Sequence, residues 1–229
     1  MIFPRIKICG LKTPEAIETA TAAGAQAVGF VFAERSARYI TPAAAADLAA
    51  AVPPYVDITG LFTTTPFDEI RRIAQAVPLI TLQLHGDRFD AAAIAALAPH
   101  RVIRALSFEA DTAVDQLRTW DQHYRNLPNL VGLIIDTPDP AKIGGGTGKT
   151  FDWHALRAVL DDVKPAAPII LAGGLTAGNV ADAIQTVRPY AVDVSSGVES
   201  APGIKDPDRI TDFCQAVAAA HMANNEPRP

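Results

Sequence analysis

Two residues that could exchange protons with a substrate close apolar segments that lie far apart in the chain. Cys9 ends the segment Ile6–Cys9, and Asp136 ends the segment Gly132–Asp136. An ionised thiol can remove a proton and a carboxylic acid can supply one, so these residues could form a base and acid pair. Such a pair needs a fold that brings the ends of distant strands to one pocket.

One pattern, a short apolar strand followed by an Ala-rich amphipathic segment, recurs about eight times and predicts the fold. Strict alternation of this kind indicates parallel strands joined by right-handed crossovers. Eight units favour a closed (β/α)8 TIM barrel, whose strands all end at one face. An open doubly wound sheet is the alternative, although no dinucleotide-binding fingerprint follows the first strand. The predicted strands are Arg5–Cys9, Ala27–Phe32, Val56–Phe62, Leu79–Leu84, Val102–Leu106, Leu130–Asp136, Ile169–Ala172 and Ala191–Val194.

Helix starts are predicted from residues whose short polar side chains can cap a first helical turn. Four of them stand directly before a proline, which is favoured at the first helical position. These four residues are Thr13, Thr41, Thr65 and Asp206. The caps predicted for the remaining helices are Asp90, Asp111, Asp152 and Thr176.

Composition indicates one α/β domain spanning residues 1–229, with 49% apolar and 20% charged residues. A net charge of −5 argues against nucleic acid or an anionic membrane as the partner. Two cysteines cannot form a disulfide framework, and no Cys/His spacing resembles a zinc site. There is no basic, apolar signal sequence and no run of roughly 18 apolar residues. We expect a cytoplasmic protein, monomeric, with a dimer as the alternative.

Strand periodicity predicts which polar side chains share the barrel interior. In the first strand Lys7 and Cys9 alternate with Ile6 and Ile8, which should face the helices. The interior near the strand ends would then hold Lys7, Cys9, Gln83, His85, Asp136 and Asp193, with Ser195 just beyond. Each alone could be a buried polar group with a structural partner, but their convergence favours a site.

The two cysteines are predicted to have different roles. A reactive thiol needs a depressed pKa, and Lys7 is the nearby candidate cation for Cys9. Cys214 lies in the last helical segment, where core packing is the expected role.

Three glycine-rich stretches predict a phosphate site because glycine lets backbone N–H groups approach an anion closely. The loops after the seventh and eighth barrel strands commonly bind phosphate. The residues concerned are Gly145, Gly146, Gly173, Gly174, Ser195, Ser196 and Gly197. Gly146–Thr150 superficially resembles a P-loop, but the glycine required five residues before Gly148 is replaced by Ile143.

Arg38 follows the second strand, in the segment Ser36–Ile40. A loop arginine is usually a solvated surface charge. At the face where the strands end, however, its planar guanidinium could bind a carboxylate through two hydrogen bonds.

These segments together resemble the phosphoribosylanthranilate isomerase family, (β/α)8 enzymes of tryptophan biosynthesis. The similarity is specific because it covers nearly the whole chain in order. The matching segments are Lys7–Leu11, Gly29–Phe32, Ser36 with Arg38–Tyr39, Leu82–Gly86, Asp136–Thr137, Gly145–Gly148, Phe151–Trp153, Leu171–Leu175, Asp193–Glu199, Pro202–Gly203 and Lys205–Asp206.

The resemblance implies an Amadori rearrangement of N-(5-phosphoribosyl)anthranilate to 1-(2-carboxyphenylamino)-1-deoxyribulose 5-phosphate. It implies that Asp136 is the general acid, that Cys9 is the general base, and that Arg38 binds the anthranilate carboxylate. The late glycine loops would bind the phosphate. No redox change or group transfer occurs, so no cofactor is expected.

Two alternatives stay open at this point. The aminoaldose isomerase of histidine biosynthesis, on the same fold, would resemble a pair of aspartates, one of them at the position of Cys9. A phosphate-binding barrel without catalytic activity would need neither Cys9 nor Asp136.

Overall fold

A computed structural model describes residues 4–138 and 150–225, with side chains to residue 222. Its parallel strands form a closed barrel in the order β1 to β8, which confirms the predicted (β/α)8 fold. The strands are β1 Arg5–Cys9, β2 Ala27–Val31, β3 Asp57–Phe62, β4 Thr81–Leu84, β5 Arg101–Ser107, β6 Leu130–Asp136, β7 Ile169–Leu171 and β8 Ala191–Val194. Predicted strand ends differ from these by at most two residues.

Helices follow each strand and cover the outside of the barrel. They are α1 Pro14–Ala22, α2 Pro42–Ala49, α3 Phe67–Ala76, α4 Ala91–Ala95, α5 Ala113–Asn126, α6 Trp153–Val163, α7 Val180–Val187 and α8 Pro207–Asn225. Between β8 and α8 the chain inserts a 3₁₀ turn, Ser196–Val198, and a small antiparallel hairpin of β9, Glu199–Ala201, and β10, Ile204–Lys205. None of the helices in the described ranges is long and apolar enough to cross a membrane.

Five of the predicted helix caps are confirmed. The side chains of Thr13, Thr41, Asp90 and Asp152 accept hydrogen bonds from the first turns of their helices. Asp206 likewise accepts from the backbone N–H groups of Asp208 and Arg209, both at 3.1 Å.

The other three predicted caps are wrong. Pro66 is extended and occupies the cap position of α3 itself, so the Thr65 hydroxyl instead donates to the Phe32 carbonyl at 3.3 Å. Thr112, rather than Asp111, precedes α5. Asn179 replaces Thr176 before α7, because the Asn179 side chain folds back and accepts from the Thr176 N–H at 2.8 Å.

The main core lies between the barrel and its helices, and the barrel interior is distinct from it. Ile6 and Ile8 belong to the main core, as strand alternation predicts. Inside the barrel, small apolar side chains form separate clusters, one of which contains Cys9 with Val31, Ala33 and Leu61. Cys214 is 2% exposed and packs in the main core, which confirms its predicted position.

Candidate active site

A pocket opens where the strands end, and it contains most of the residues predicted for the site. Its lining includes Cys9, Arg38, Gln83, His85, Asp136, Gly173, Gly174, Asp193, Ser195 and Ser196. Gly145 and Gly146 lie outside the described residues. A larger cavity opens at the other end of the barrel, around Asp57 and Arg101, but it contains neither Cys9 nor Asp136.

Cys9 is placed at the pocket floor by the last position of β1, and its residue is 3% exposed. Gly29 lies opposite it in the β1–β2 ladder, and a Cβ at Gly29 would stand 2.9 Å from Cys9 Sγ. The absence of a side chain at Gly29 therefore creates the space that the thiol occupies.

The Cys9 thiol does not have the depressed pKa that is usual for a reactive thiol. Burial raises the pKa of Cys9 above its usual value, and the Asp193 carboxylate adds to that rise. The positive charges of Lys7 and Lys205 act in the opposite direction and offset part of the effect. The thiol is therefore held protonated by desolvation, with two cations near it that favour the thiolate.

Lys7 lies beneath Cys9 and does not line the pocket. Its Nζ donates to both carboxylate oxygens of Asp193 at 2.9 Å, across the β1–β8 pairing that closes the barrel. Both side chains are buried, at 8% and 7% exposure. Burial lowers the pKa of Lys7, but the charges and hydrogen bonds of Asp193 and Cys9 together outweigh this and leave the pKa well above its usual value. The pair is a buried ion pair beside the thiol, and Lys7 also lines the larger cavity at the other end of the barrel.

Asp136 ends β6 on the pocket wall and is half-buried. Its Oδ1 accepts a hydrogen bond from the Thr137 N–H at 2.7 Å, which fixes the carboxyl orientation. Gly173 approaches closely, since a Cβ there would stand 3.0 Å from Asp136 Oδ1 and 2.3 Å from Thr137 Oγ1. Gly173 has a φ of +88°, a conformation that glycine adopts without strain.

Gln83 and His85 point to the same side of β4, as predicted. Gln83 Nε2 and His85 Nε2 are 2.9 Å apart, within hydrogen-bonding distance. Gln83 is 1% exposed, and in the described part of the chain its Oε1 has no hydrogen-bond partner. A buried acceptor without a partner is costly, so this oxygen is suited to a donor that a ligand supplies.

Arg38 reaches the pocket edge and is not a solvated surface charge, since its side chain is 12% exposed. Its Nε and Nη2 donate to Glu199 Oε1 and Oε2 at 2.8 and 2.7 Å. Glu199 also accepts from Lys205 Nζ at 2.7 Å, and both of these side chains are 3% exposed. The sequence did not predict Glu199 and Lys205 as residues of the site. They lie on the β9–β10 hairpin, and the alternation of the barrel strands does not predict which way side chains on that hairpin point.

The loops after β7 and β8 come together at the pocket. Gly173 and Gly174 both have positive φ angles, +88° and +64°. Among the described residues, the backbone N–H groups of Gly173, Gly174 and Ser196 make no hydrogen bond to the protein. Gly197 does not line the pocket; a Cβ there would stand 1.8 Å from the Leu175 carbonyl oxygen, so it packs one loop on the other. The two loops thus present free backbone donors suited to an anion.

Cys9 and Asp136, Arg38 at the pocket edge and the backbone donors of the loops after β7 and β8 line one pocket at the face where the strands end, which is where enzymes with a (β/α)8 barrel have their active sites. In the described ranges, no group of His, Cys, Asp and Glu side chains is arranged to hold a metal ion.

Comparison with known proteins identifies the family. The family model for N-(5'-phosphoribosyl)anthranilate isomerase matches residues 6–216. The N-(5'-phosphoribosyl)anthranilate isomerase of Herminiimonas arsenicoxydans is 45% identical over 222 residues, 96% of this chain and 95% of that protein. The chain belongs to the N-(5'-phosphoribosyl)anthranilate isomerase family, and the predicted isomerase activity in tryptophan biosynthesis is confirmed.

Solved structures agree with this assignment. Monomers generated from the dimeric enzyme of Thermotoga maritima superpose with a TM-score of 0.79 at 33% identity, covering 94% of this chain and 99% of that one. A phosphoribosyl anthranilate isomerase in complex with reduced 1-(o-carboxyphenylamino)-1-deoxyribulose 5-phosphate gives the same TM-score, 0.79, at 33% identity, with 94% and 99% coverage.

Proposed function

We propose that Cys9 and Asp136 are the base and acid of the Amadori rearrangement. Asp136 delivers a proton to the furanose ring oxygen, which breaks the ring C–O bond and leaves a protonated Schiff base. The thiolate of Cys9 then removes the C2 proton, and the resulting enolamine tautomerises to the aminoketose. Their placement on one pocket, at the ends of β1 and β6, supports these roles.

The raised pKa of Cys9 fits this scheme. A base whose conjugate acid has a high pKa takes a carbon-bound proton more readily, although less of it is ionised at neutral pH. Ring opening leaves a positive charge on the Schiff-base nitrogen, near the thiol. That charge favours the thiolate at the step where it is needed.

Arg38 is the proposed partner of the anthranilate carboxylate. Glu199 occupies its Nε and Nη2, and in the described residues Nη1 makes no hydrogen bond to the protein. Arg38 also lines the pocket. Nη1 is therefore available to donate to the substrate carboxylate, while Glu199 holds Nε and Nη2 in place.

The proposed phosphate site lies between the loops after β7 and β8. The free N–H groups of Gly173, Gly174 and Ser196 support it, since backbone donors from adjacent loops suit a phosphate dianion. Gly145 and Gly146 are also predicted to take part but lie outside the described residues. Gln83 Oε1, with His85 beside it, is suited to accept a hydrogen bond from a ribose hydroxyl.

Lys7, Asp193 and Ser195 are better explained as support than as ligands for the substrate. Lys7 and Asp193 neutralise each other, and the Ser195 hydroxyl donates to the Cys9 carbonyl at 3.1 Å. This revises the predicted direct contact of these three residues with substrate.

Anthranilate-adduct consumption, followed by fluorescence with the purified protein and with a Cys9→Ala variant, tests the assignment. Turnover that depends on Cys9 supports it, while turnover of the histidine-pathway aminoaldose alone would favour that alternative reaction. Absence of turnover with both substrates would favour the alternative of a phosphate-binding barrel without catalytic activity. The monomeric state and cytoplasmic location stay predictions, which sedimentation and cell fractionation would test.

A further inference from the structure

Glu199 is a buried carboxylate for which the proposed chemistry has no direct use. It opens β9 and is 5% exposed. Besides the two hydrogen bonds from Arg38 and one from Lys205, its Oε2 accepts the Gly203 N–H at 3.2 Å. One carboxylate thus pairs with two cations, so this cluster keeps a net positive charge beside the pocket. Burial raises the pKa of Glu199, but Arg38 and Lys205 outweigh this and hold the carboxyl ionised.

The hairpin that carries Glu199 is packed tightly against the segment that carries Arg38. A Cβ at Gly203, where φ is +78°, would stand 2.3 Å from the Ala37 carbonyl oxygen. The Arg38 side chain in turn crosses the end of β1, since a Cβ at Gly10 would stand 2.8 Å from Arg38 Cδ. These close approaches leave the guanidinium little freedom once Glu199 is bound to it.

Lys205 extends the same cluster toward the thiol. Its Nζ donates to the Ser195 carbonyl at 2.9 Å, and the Ser195 hydroxyl donates to the Cys9 carbonyl. Burial lowers the pKa of Lys205, while Glu199 and Cys9 raise it in part.

The other groups around Cys9 can be assigned by element. Lys7 on β1 and Asp193 on β8 face it from below as a neutral pair, while β2 and β3 contribute apolar Val31 and Leu61. The remaining charged or titratable side chains of the pocket lining are Arg38, His85 and Asp136. Lys205 is therefore a cation near Cys9 whose charge is only partly neutralised, because its partner Glu199 also pairs with Arg38.

We propose that Glu199 is a positioning residue with two roles. Its carboxylate orients Arg38 toward the carboxylate of the substrate, and it also holds Lys205 beside Cys9, where the positive charge of Lys205 favours the thiolate. The Arg38 part rests on the proposed function. The Lys205 part does not depend on which substrate is bound.

Kinetics of Glu199→Gln with two substrates test the Arg38 part. One is the anthranilate adduct, and the other is the phosphoribosyl adduct of aniline, which lacks the carboxylate. We expect KM for the anthranilate adduct to rise about tenfold, as when a charged partner is misaligned. KM for the aniline adduct should not change. Equal rises with both substrates would show a general structural role and overturn the proposal; Glu199→Asp gives the same comparison if the glutamine variant does not fold.

The same substrates separate this proposal from the proposed function. If Arg38→Ala weakens binding of both substrates equally, then Arg38 does not bind the carboxylate and the proposed function fails at that residue. If Arg38→Ala acts only on the anthranilate adduct but Glu199→Gln acts on neither, the positioning role alone is wrong.

A thiol titration tests the Lys205 part without measuring turnover. Cysteine 13Cβ shifts of the unliganded Cys214→Ser protein report the ionisation of Cys9 alone. Lys205→Met should lower the thiolate fraction several-fold at each pH below full ionisation, whereas Lys205→Arg should preserve it. Lys164→Met removes the same charge from an exposed site directly after α6 and should have no effect. An unchanged titration in Lys205→Met would overturn this part.

Discussion

Gly29 faces Cys9 across the β1–β2 ladder, and the thiol occupies the volume that a side chain at Gly29 would fill. A Cβ there would also stand 3.1 Å from Cys9 Cα and 3.2 Å from Lys7 Cε. The positions of the Cys9 and Lys7 side chains therefore both depend on the absence of a side chain at Gly29.

Gly29→Ala should lower kcat by about ten- to a hundredfold with little change in KM, because small displacements of a catalytic group are costly. Overpacking should also reduce stability by about 1–3 kcal/mol. Steady-state kinetics and denaturant unfolding measure the two effects. Gly178→Ala is the matched control, since its nearest contact would be an ordinary 3.8 Å. Unchanged kcat in Gly29→Ala would mean that the thiol position is not critical.

Cys9→Ala should lower kcat by about 10²–10⁴-fold, the usual contribution of a positioned base. Cys9→Ser should fail similarly, since an alcohol is a far weaker base at neutral pH. Affinity for a substrate analogue, measured by calorimetry, should survive in both variants. Cys214→Ser is the control for thiol chemistry elsewhere and should keep kcat, at some cost in stability. Near-normal turnover in either Cys9 variant would remove Cys9 from the mechanism.

Asp136→Asn keeps the side-chain shape but has no proton to deliver, so kcat should collapse while binding persists. The native pH profile of kcat/KM should be bell-shaped, because one group must be protonated and the other ionised; the apparent values belong to the pair. Since burial raises the pKa of Cys9, the limb of this profile that reports the thiol should lie at a higher pH than for a solvated thiol. Normal turnover in the asparagine variant would assign ring opening to another acid.

Arg38→Ala should weaken substrate binding by about 2–4 kcal/mol, the cost of removing the partner of a buried carboxylate. Arg38→Lys should restore only part of this loss, because an ammonium cannot pair with Glu199 and the substrate through a planar fork. Steady-state KM and analogue Kd provide the measurement. An unchanged KM would show that the guanidinium does not contact the substrate.

Inorganic phosphate should compete with substrate, and crystals grown in phosphate should show an anion between Gly173–Gly174 and Ser196. Gly174→Val should raise KM sharply, since φ is +64° there and a branched side chain would strain the loop as well as block the anion. Gly197→Val is not an equally clean probe, because its Cβ would overlap the Leu175 carbonyl. An anion found at residues 146–150, with a nucleotide raising Tm, would instead support the P-loop alternative.

Strand alternation and barrel closure were sufficient to predict the pocket around Cys9, Gln83 and Asp136. Period two selects the inward side chains, and a parallel barrel has only one face where strands end. The same reasoning could not give the pKa of Cys9, because burial depth is a property of the packed interior. It also gave no position for Glu199 or Lys205, since the hairpin after β8 lies outside the barrel repeat. The caps at Thr65 and Thr176 failed because Pro66 and Asn179 compete for the same helix starts.

The pairing of Lys7 with Asp193 joins residues at opposite ends of the chain. During synthesis on the ribosome, Cys9 emerges well before Asp193, Glu199 and Lys205. Contacts of such sequence separation form late, since the intervening chain must be ordered first. The thiol therefore acquires its electrostatic surroundings only after β8 and the β9–β10 hairpin have been synthesised, and fragments that stop before β8 should contain the proposed base without Asp193 and Lys205.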